Sequence, residues 1–375
     1  MANKRKTNKK FMCLSALGII MVVDAHCWGS LMLFTSFIPY NSFFMPMFVF
    51  ISGYFNKVDR NTSLWEYIKR KSKTLLLPYF CISLIALFIE WLFECMKLES
   101  VSPFTLQRLV HSILRVTVSG EISGIASPLW FVPSLFAVQV VYAFLKKFFY
   151  TRWNSRIVII VLCIINVLVV WYAKTGGVNN YNMVFLKVLF FLPFIEMGIL
   201  YRDELENELK KKNHLLLLLI LLLINMVRIM IMPKPYDIAF DYLSILNGFS
   251  SPYPTTPLIS SVIGILFWLE MVDLFGPSVY ENRVVNYISE NTFFIMGFHL
   301  IFFNLLNLVL FYINKIHPLP GFDVASFQSS TWYRWEHYVQ FRLVYFAVGL
   351  LGSLALKQLY DRLRRHVERA AAVNK

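Results

Sequence analysis

Charged side chains are scarce in this sequence. Only 15% of its 375 residues are Asp, Glu, Lys or Arg, and acids are the scarcer half, 22 against 36 bases. A soluble globular domain carries about 25% charged and roughly 45–50% apolar residues. Here 57% are hydrophobic and 17% aromatic, with 35 Phe, 19 Tyr and 9 Trp. A water-soluble fold is therefore excluded. Disorder is excluded too, because so much apolar surface does not stay solvated. Cysteine is also sparse. Cys13, Cys27, Cys81, Cys95 and Cys163 are odd in number and lie in or beside apolar runs. They form neither a disulfide framework nor a CxxC metal pattern, and read as small buried hydrophobes. No internal repeat and no appended soluble domain is visible. The net charge is +14, yet the bases form no single patch and sit between long apolar runs. That spacing argues against a nucleic-acid partner and for loops that face the cytoplasm.

What the chain does have is apolar runs close to the 20 or so residues that span a bilayer. Ten candidates cover 11–34, 40–56, 75–96, 129–146, 156–173, 183–201, 214–232, 257–275, 291–313 and 338–356. Pro46, Pro133 and Pro193 open or interrupt some of them, which membrane helices tolerate when neighbours satisfy the freed carbonyl. The basic stretch Met1 to Lys10 precedes a run too long for the roughly 7–15-residue core of a signal peptide, so 11–34 reads as an uncleaved first span. With the N-terminus inside, 26 of the 36 Lys and Arg fall on the cytoplasmic side and seven outside. The expected fold is all-α: a polytopic membrane protein with about ten transmembrane helices and both termini cytoplasmic. Residues 1–375 form one integral-membrane domain, with a basic cytoplasmic N-terminus at 1–10 and a basic tail at 357–375. The longer outer loops are 97–128, 233–256 and 314–337. In the first, Phe104, Leu109, Val110, Ile113 and Leu114 recur at helical spacing and predict a short interfacial helix. In the last, Trp332, Tyr333, Trp335 and Tyr338 read as an aromatic belt or as a platform for stacking a sugar.

Ionisable residues inside spans are costly and point to function. They are Asp24, His26, Glu90, Glu94, Lys187, Glu196, Arg228, Glu270, His299 and Arg342. Glu90, Glu94, Glu270 and Arg342 lie near span ends, where solvated edges are expected, and Lys187 is placed to snorkel. Asp24, His26, Glu196, Arg228 and His299 remain. Imidazole is the usual general base near neutral pH, which singles out His26 in IIMVVDAHCW. Asp24 is two positions away, about 200° round a helix, so spacing does not support an Asp–His dyad.

The run VVDAHCW followed by FFMPMFVFISGYF resembles the opening of the acyltransferase-3 family of integral-membrane acyltransferases. It looks most like the branch that includes fucose 4-O-acetylases. IKRKSKTLLLPYF, PLWFVPSLF and ISENTFFIMGFH resemble later family segments, in the same order along nearly the whole chain. Carried over by that resemblance, His26 matches the family's proposed catalytic His, Ser52 and Gly53 its Ser-Gly, Trp130 its Trp, and His299 its late His. Two positions depart from the pattern. Ser15 stands where the family has Arg or Lys eleven residues before the His, on nearly the same helix face. Phe44 stands where the branch often has a His.

The resemblance implies an O-acyltransferase of a bacterial inner membrane. Its donor would be acetyl-CoA or another short acyl-CoA, and its acceptor a sugar hydroxyl of a surface glycan or its lipid-linked precursor. His26 would act as base or as transient acyl carrier. Ser52, Trp130, Arg228, His299 and Glu196 are the expected substrate-binding residues. Lys69, Arg70, Lys71 and Lys73 are expected to hold the CoA phosphates, since basic groups recognise phosphate well. No permanently bound cofactor and no metal is expected; acyl-CoA, the glycan and membrane lipid are the expected partners. The rival reading is a transporter or flippase of lipid-linked glycan, whose internal symmetry is not visible here.

Overall fold

The computed structural model describes residues 8–27, 31, 37–59, 61–95, 107, 110, 124–149, 153–179, 182–231 and 253–373. The predicted interfacial helix in 97–128, most of the loop 233–256, the Glu94 side chain, Arg60 and Arg152 lie outside the described residues. Among the described residues the chain is helical, with no strand. Its helices are α1 (Lys9–His26), α2 (Phe44–Tyr54), α3 (Leu64–Lys71), α4 (Leu77–Cys95), α5 (Phe131–Phe148) and α6 (Ser155–Lys174). They continue with α7 (Met183–Leu200), α8 (His214–Ile231), α9 (Thr256–Phe275), α10 (Arg283–Glu290), α11 (Thr292–Ile316) and α12 (Phe341–Val373). Eight helical stretches, continuous through the wider turns between α3 and α4 and after α7, are long and apolar enough to cross a membrane.

The differences from the sequence-based spans have physical causes. The first span ends at His26 rather than 34, where the Asp24 carboxylate turns back to accept from the Leu31 amide at 2.9 Å. The second is only the 11 residues of α2, preceded by a 3₁₀ turn at Tyr40–Ser42. Eleven residues reach about 16 Å, short of a hydrocarbon core of about 30 Å. α2 is instead buried in the bundle, with α7 as its main neighbour. Glycine permits that approach. A Cβ on Gly53 would stand 2.1 Å from the Ile195 carbonyl oxygen, and one on Gly198 2.1 Å from that of Phe50. α7 is the central span, with 72% of its apolar window buried, whereas α8 buries 11% and faces lipid. The last helix continues unbroken through the basic tail to Val373.

Segments predicted to share the cytoplasmic side do meet at one end of the bundle. Lys10 donates to the Tyr201 hydroxyl at 2.7 Å and pairs with Asp273. Lys9 pairs with Glu281 at 3.2 Å, Arg156 with Glu204 at 2.8 Å, and Lys147 donates to the Thr62 carbonyl at 2.9 Å. Helices starting at this basic end carry side-chain caps. Asn8, Asn154 and Asn282 accept from the amides of Lys10, Arg156 and Val284, filling donors that a helix start leaves unpaired.

Candidate active site

Two helices carry the site. α1 and the α10–α11 stretch both begin at the basic end, pack side by side, and run in the same direction. Each brings one histidine to the same depth. His26 Nδ1 lies 2.9 Å from His299 Nε2, with the rings 5.0 Å apart and 23° from parallel. His299 is wholly buried, and its Nδ1 is 2.9 Å from the Ile295 carbonyl oxygen. A carbonyl only accepts, so Nδ1 of His299 carries the proton. In neutral imidazole the other nitrogen is then an acceptor, so His26 Nδ1 must donate to it. His26 Nε2 is left with a free lone pair, the basic and nucleophilic atom of the pair. Asp24 is fully buried and holds the turn after α1 instead of the His26 ring, as the spacing implied.

On the far side, away from the basic end, the pair is covered by the loop after α11. Asn304 Nδ2 donates to the Thr331 carbonyl at 3.1 Å, and Asn307 Nδ2 to that of Tyr333 at 2.8 Å. Tyr345 on α12 donates to Asn307 and accepts from the Trp335 amide at 3.0 Å. So held, the loop sets Trp332 against His26, ring centres 5.4 Å apart, with the indole 44% exposed. The same loop buries Arg334 to 6% exposure, 4.5 Å over the Phe303 ring. Burial pulls the Arg334 guanidinium down to about 10, so it keeps its charge near neutral pH. Within the predicted aromatic platform, Trp332 and Tyr338 are exposed and Trp335 is buried, its Nε1 donating to the Pro320 carbonyl at 2.9 Å.

On the basic side a cavity of about 890 Å³ opens, lined among others by Ser15, Ser52, Lys57, Arg70, Lys71 and Glu290. Arg70 and Lys71 stack over Tyr67 at 5.4 and 5.5 Å. Lys69 and Lys73 are exposed and do not line it. The cavity also takes in Thr74, inside a π-helical turn at Ser72–Leu76, a wider turn that recurs at functional sites. From Ser15 to His26 is eleven residues, roughly 16 Å along α1; from Glu290 to His299 is nine, roughly 14 Å. The cavity lining stops at Ser15 and Glu290 and includes neither histidine, so these are distances along the two helices between the cavity and the pair.

The other predicted site residues are spread through the bundle. Trp130 opens α5 with the Lys187 ammonium 5.1 Å over its ring. The preceding Leu129 reaches to 3.6 Å of the Cβ position of Gly297, two residues before His299. Glu196 is buried between helices and accepts from Tyr142 and Ser155. Arg228 donates through Nε and Nη2 to Asn225 Oδ1 at 3.1 and 2.8 Å, and Asn225 in turn holds the Phe37 carbonyl. These hydrogen bonds of Glu196 and Arg228 join neither to the histidine pair. Lys187 is 1% exposed and does not snorkel; Glu270 is 2% exposed, bonded to His214 at 2.6 Å rather than solvated. His214, Glu270 and Asp273 bring three ligand atoms within 4.8 Å of one another, but the Lys10 ammonium already supplies a cation at Asp273. Arg334, one of the seven outer bases, and Lys57, one of the 26 cytoplasmic ones, are not singled out by charge counting; the sequence signal for Arg334 is its aromatic setting, TWYRWEHY.

Residues 13–357 match the family model described as an acyltransferase domain, that of acyltransferase-3. No curated protein and no solved structure matches the chain.

Proposed function

Because the chain belongs to the acyltransferase-3 family of membrane acyltransferases, we propose that it transfers an acetyl or other short acyl group from acyl-CoA to a sugar hydroxyl. The acceptor is a surface glycan or its lipid-linked precursor, as in the fucose 4-O-acetylase-like branch that the sequence resembles, and the membrane is the bacterial inner one. The observation that carries this reading is the hydrogen-bonded His26–His299 pair, reached along two helices that start at a basic cavity. The cavity suits CoA. Lys57, Arg70 and Lys71 offer charge to its phosphates, and they line the same space as Ser15, where the family's usual cation is missing. The pantetheine arm then follows α1 toward His26.

Two balanced routes pass through His26 Nε2. In direct transfer it takes the hydroxyl proton while the sugar oxygen bonds to the thioester carbon; the C–S bond breaks, and the thiolate leaves and recovers a proton. In the relay, Nε2 itself attacks the thioester carbon and expels the thiolate; the sugar oxygen then displaces the imidazole from the acyl carbon, and the hydroxyl proton leaves to the CoA thiolate. In both, His26 gains positive charge, and Nδ1 passes its share to His299. Incubating purified protein with labelled acetyl-CoA and a glycan acceptor should release CoA and label the glycan, and His26→Ala should lower both by about 10²–10⁴-fold. Glycan crossing the membrane with no CoA release would favour the transporter reading and sink this one.

A further inference from the structure

Arg334 takes no part in either route above, and its surroundings are chemically incomplete. Its Nη1 donates to the Thr331 and Tyr333 carbonyls at 3.3 and 2.6 Å. Its Nε and Nη2 are fully buried and have no hydrogen-bond partner among the described residues. No described carboxylate pairs with it: Glu336, two residues on, pairs with Arg342 at 3.2 Å. A buried charge is ordinarily paired, and a buried donor ordinarily filled. Here the guanidinium rests on aromatic faces, 4.5 Å over Phe303 and 5.7 Å over Tyr345.

The position of this charge gives the gap a meaning. Phe303 stands edge-on to His299 with ring centres 5.7 Å apart, so Arg334 and the histidine pair border the same ring. Two residues before Arg334, the half-exposed Trp332 covers His26. A fixed cation here opposes the positive charge that His26 gains during transfer, unless an anion arrives with the substrate. Nε and Nη2 form one side of the guanidinium fork, the geometry that grips a carboxylate or phosphate through two parallel bonds.

We propose that Arg334 recognises an acidic acceptor, binding through Nε and Nη2 a carboxylate or phosphate that the sugar carries close to its reacting hydroxyl. This rests on the reading that the acceptor binds beside His26. The sugar ring lies on Trp332, its anionic group pairs with the two unfilled donors of Arg334, and its hydroxyl faces His26 Nε2. The bound anion also offsets the charge that would otherwise hinder His26.

The test is equilibrium binding to the full chain in lipid nanodiscs without acyl-CoA, so that no turnover is needed. The probes are a glucuronate-containing oligosaccharide, its carboxyl-reduced neutral counterpart, and the same neutral oligosaccharide bearing a phosphate. Wild type should bind an acidic probe at least about tenfold more tightly than the neutral one, and which acidic probe wins tells carboxylate from phosphate. Arg334→Gln should bring that ratio close to one, and Arg334→Lys, which keeps charge but loses the fork, should retain part of it. Equal binding of all three probes by wild type overturns the proposal, as does an unchanged ratio in Arg334→Gln. If the Gln variant binds nothing, the Lys variant decides, and a ratio of one there overturns it. Selective acidic binding here, together with no CoA release in the separate turnover assay with acetyl-CoA, would defeat the acyl-transfer reading and leave this one standing.

Discussion

At the scale of single residues, the two histidines divide the chemistry between them. His26 offers Nε2 to the reactants, and His299 fixes which nitrogen of His26 is free, because the Ile295 carbonyl commits His299 Nδ1 to donating. His26→Ala should therefore lower acyl transfer by about 10²–10⁴-fold, the usual worth of a positioned base. His299→Ala should lower it about 10- to 100-fold, as loss of an orienting partner does. His299→Gln, whose amide oxygen can still accept from His26 Nδ1, should recover part of that loss. Turnover of labelled acetyl-CoA by the three variants checks this; equal activity in His299→Ala and wild type would remove His299 from the mechanism. Each histidine was legible in the sequence as an ionisable group inside an apolar run. Their pairing was not, because 273 positions separate them and a single sequence records no contact. Arg334 was hidden for another reason: charge counting treats every loop base alike, and only the fold of 317–340 buries this one. Glu270 and Lys187 were misread as reaching water because their neighbours, His214 and Trp130, sit on distant helices.

At the scale of elements, two helix contacts decide whether the site forms. α2 presses its backbone on α7 at Gly53 and Gly198, where an added methyl meets main-chain atoms that cannot rotate away. Gly53→Ala and Gly198→Ala should each destabilise the protein by about 1–3 kcal/mol, the cost of overpacking a tight contact. Thermal unfolding in detergent would show it, with Leu219→Ala on the lipid-facing α8 as a milder comparison; Gly variants as stable as that control would refute the close approach. The second contact is the face that α3 turns inward. Arg70 and Lys71 line the cavity while Lys69 and Lys73 do not. Neutralising Arg70 and Lys71 together should weaken CoA binding about tenfold or more, and neutralising Lys69 and Lys73 less than about twofold, since a charge that does not line the cavity acts on the phosphates only through screening solvent. Added salt should narrow the difference. Calorimetric titration with CoA checks both, and equal losses from the two pairs would mean that general basicity, not this cavity, attracts the donor. The run KRKSK is basic or polar throughout, so its sequence could not say which side faces in; the π-helical turn at Ser72–Leu76 further shifts the register.

For the whole molecule, the remaining question is which end of the bundle faces the cytoplasm. Hydropathy predicted ten spans, and eight stretches among the described residues are long and apolar enough to cross; outside those eight stand α1, whose 18 residues include Lys9, Lys10 and Asp24, and α2, too short to cross alone. Its shortness leaves the parity intact. Asn8 donates to the Tyr54 hydroxyl at 2.7 Å, and Arg202 to the Tyr54 carbonyl at 3.0 Å, so α2 ends where α1 begins. α12 returns to that same end, since Asp361, Arg362 and Arg365 line a cleft with Tyr287 of α10. The start of α1 and the end of α12 therefore share the basic end, and from the excess of 26 bases over seven we propose that this end faces the cytoplasm. The proposed chemistry requires the same orientation, because acyl-CoA is made in the cytoplasm and too charged to cross a bilayer unaided. A cytoplasm-dependent fluorescent reporter fused after Lys375 should be active. In intact cells, Ser330→Cys in the loop that carries Trp332 and Arg334 should react with a membrane-impermeant maleimide, and Asn213→Cys at the opposite end should react only after lysis. Cys13 and Cys27 are buried but Cys81 is exposed, so both variants are made in a chain whose native cysteines are replaced by Ser, and that parent sets the background. Labelling of Asn213→Cys but not Ser330→Cys in intact cells would place the basic cavity outside, away from any acyl-CoA, and would overturn the orientation together with the donor assigned to that cavity.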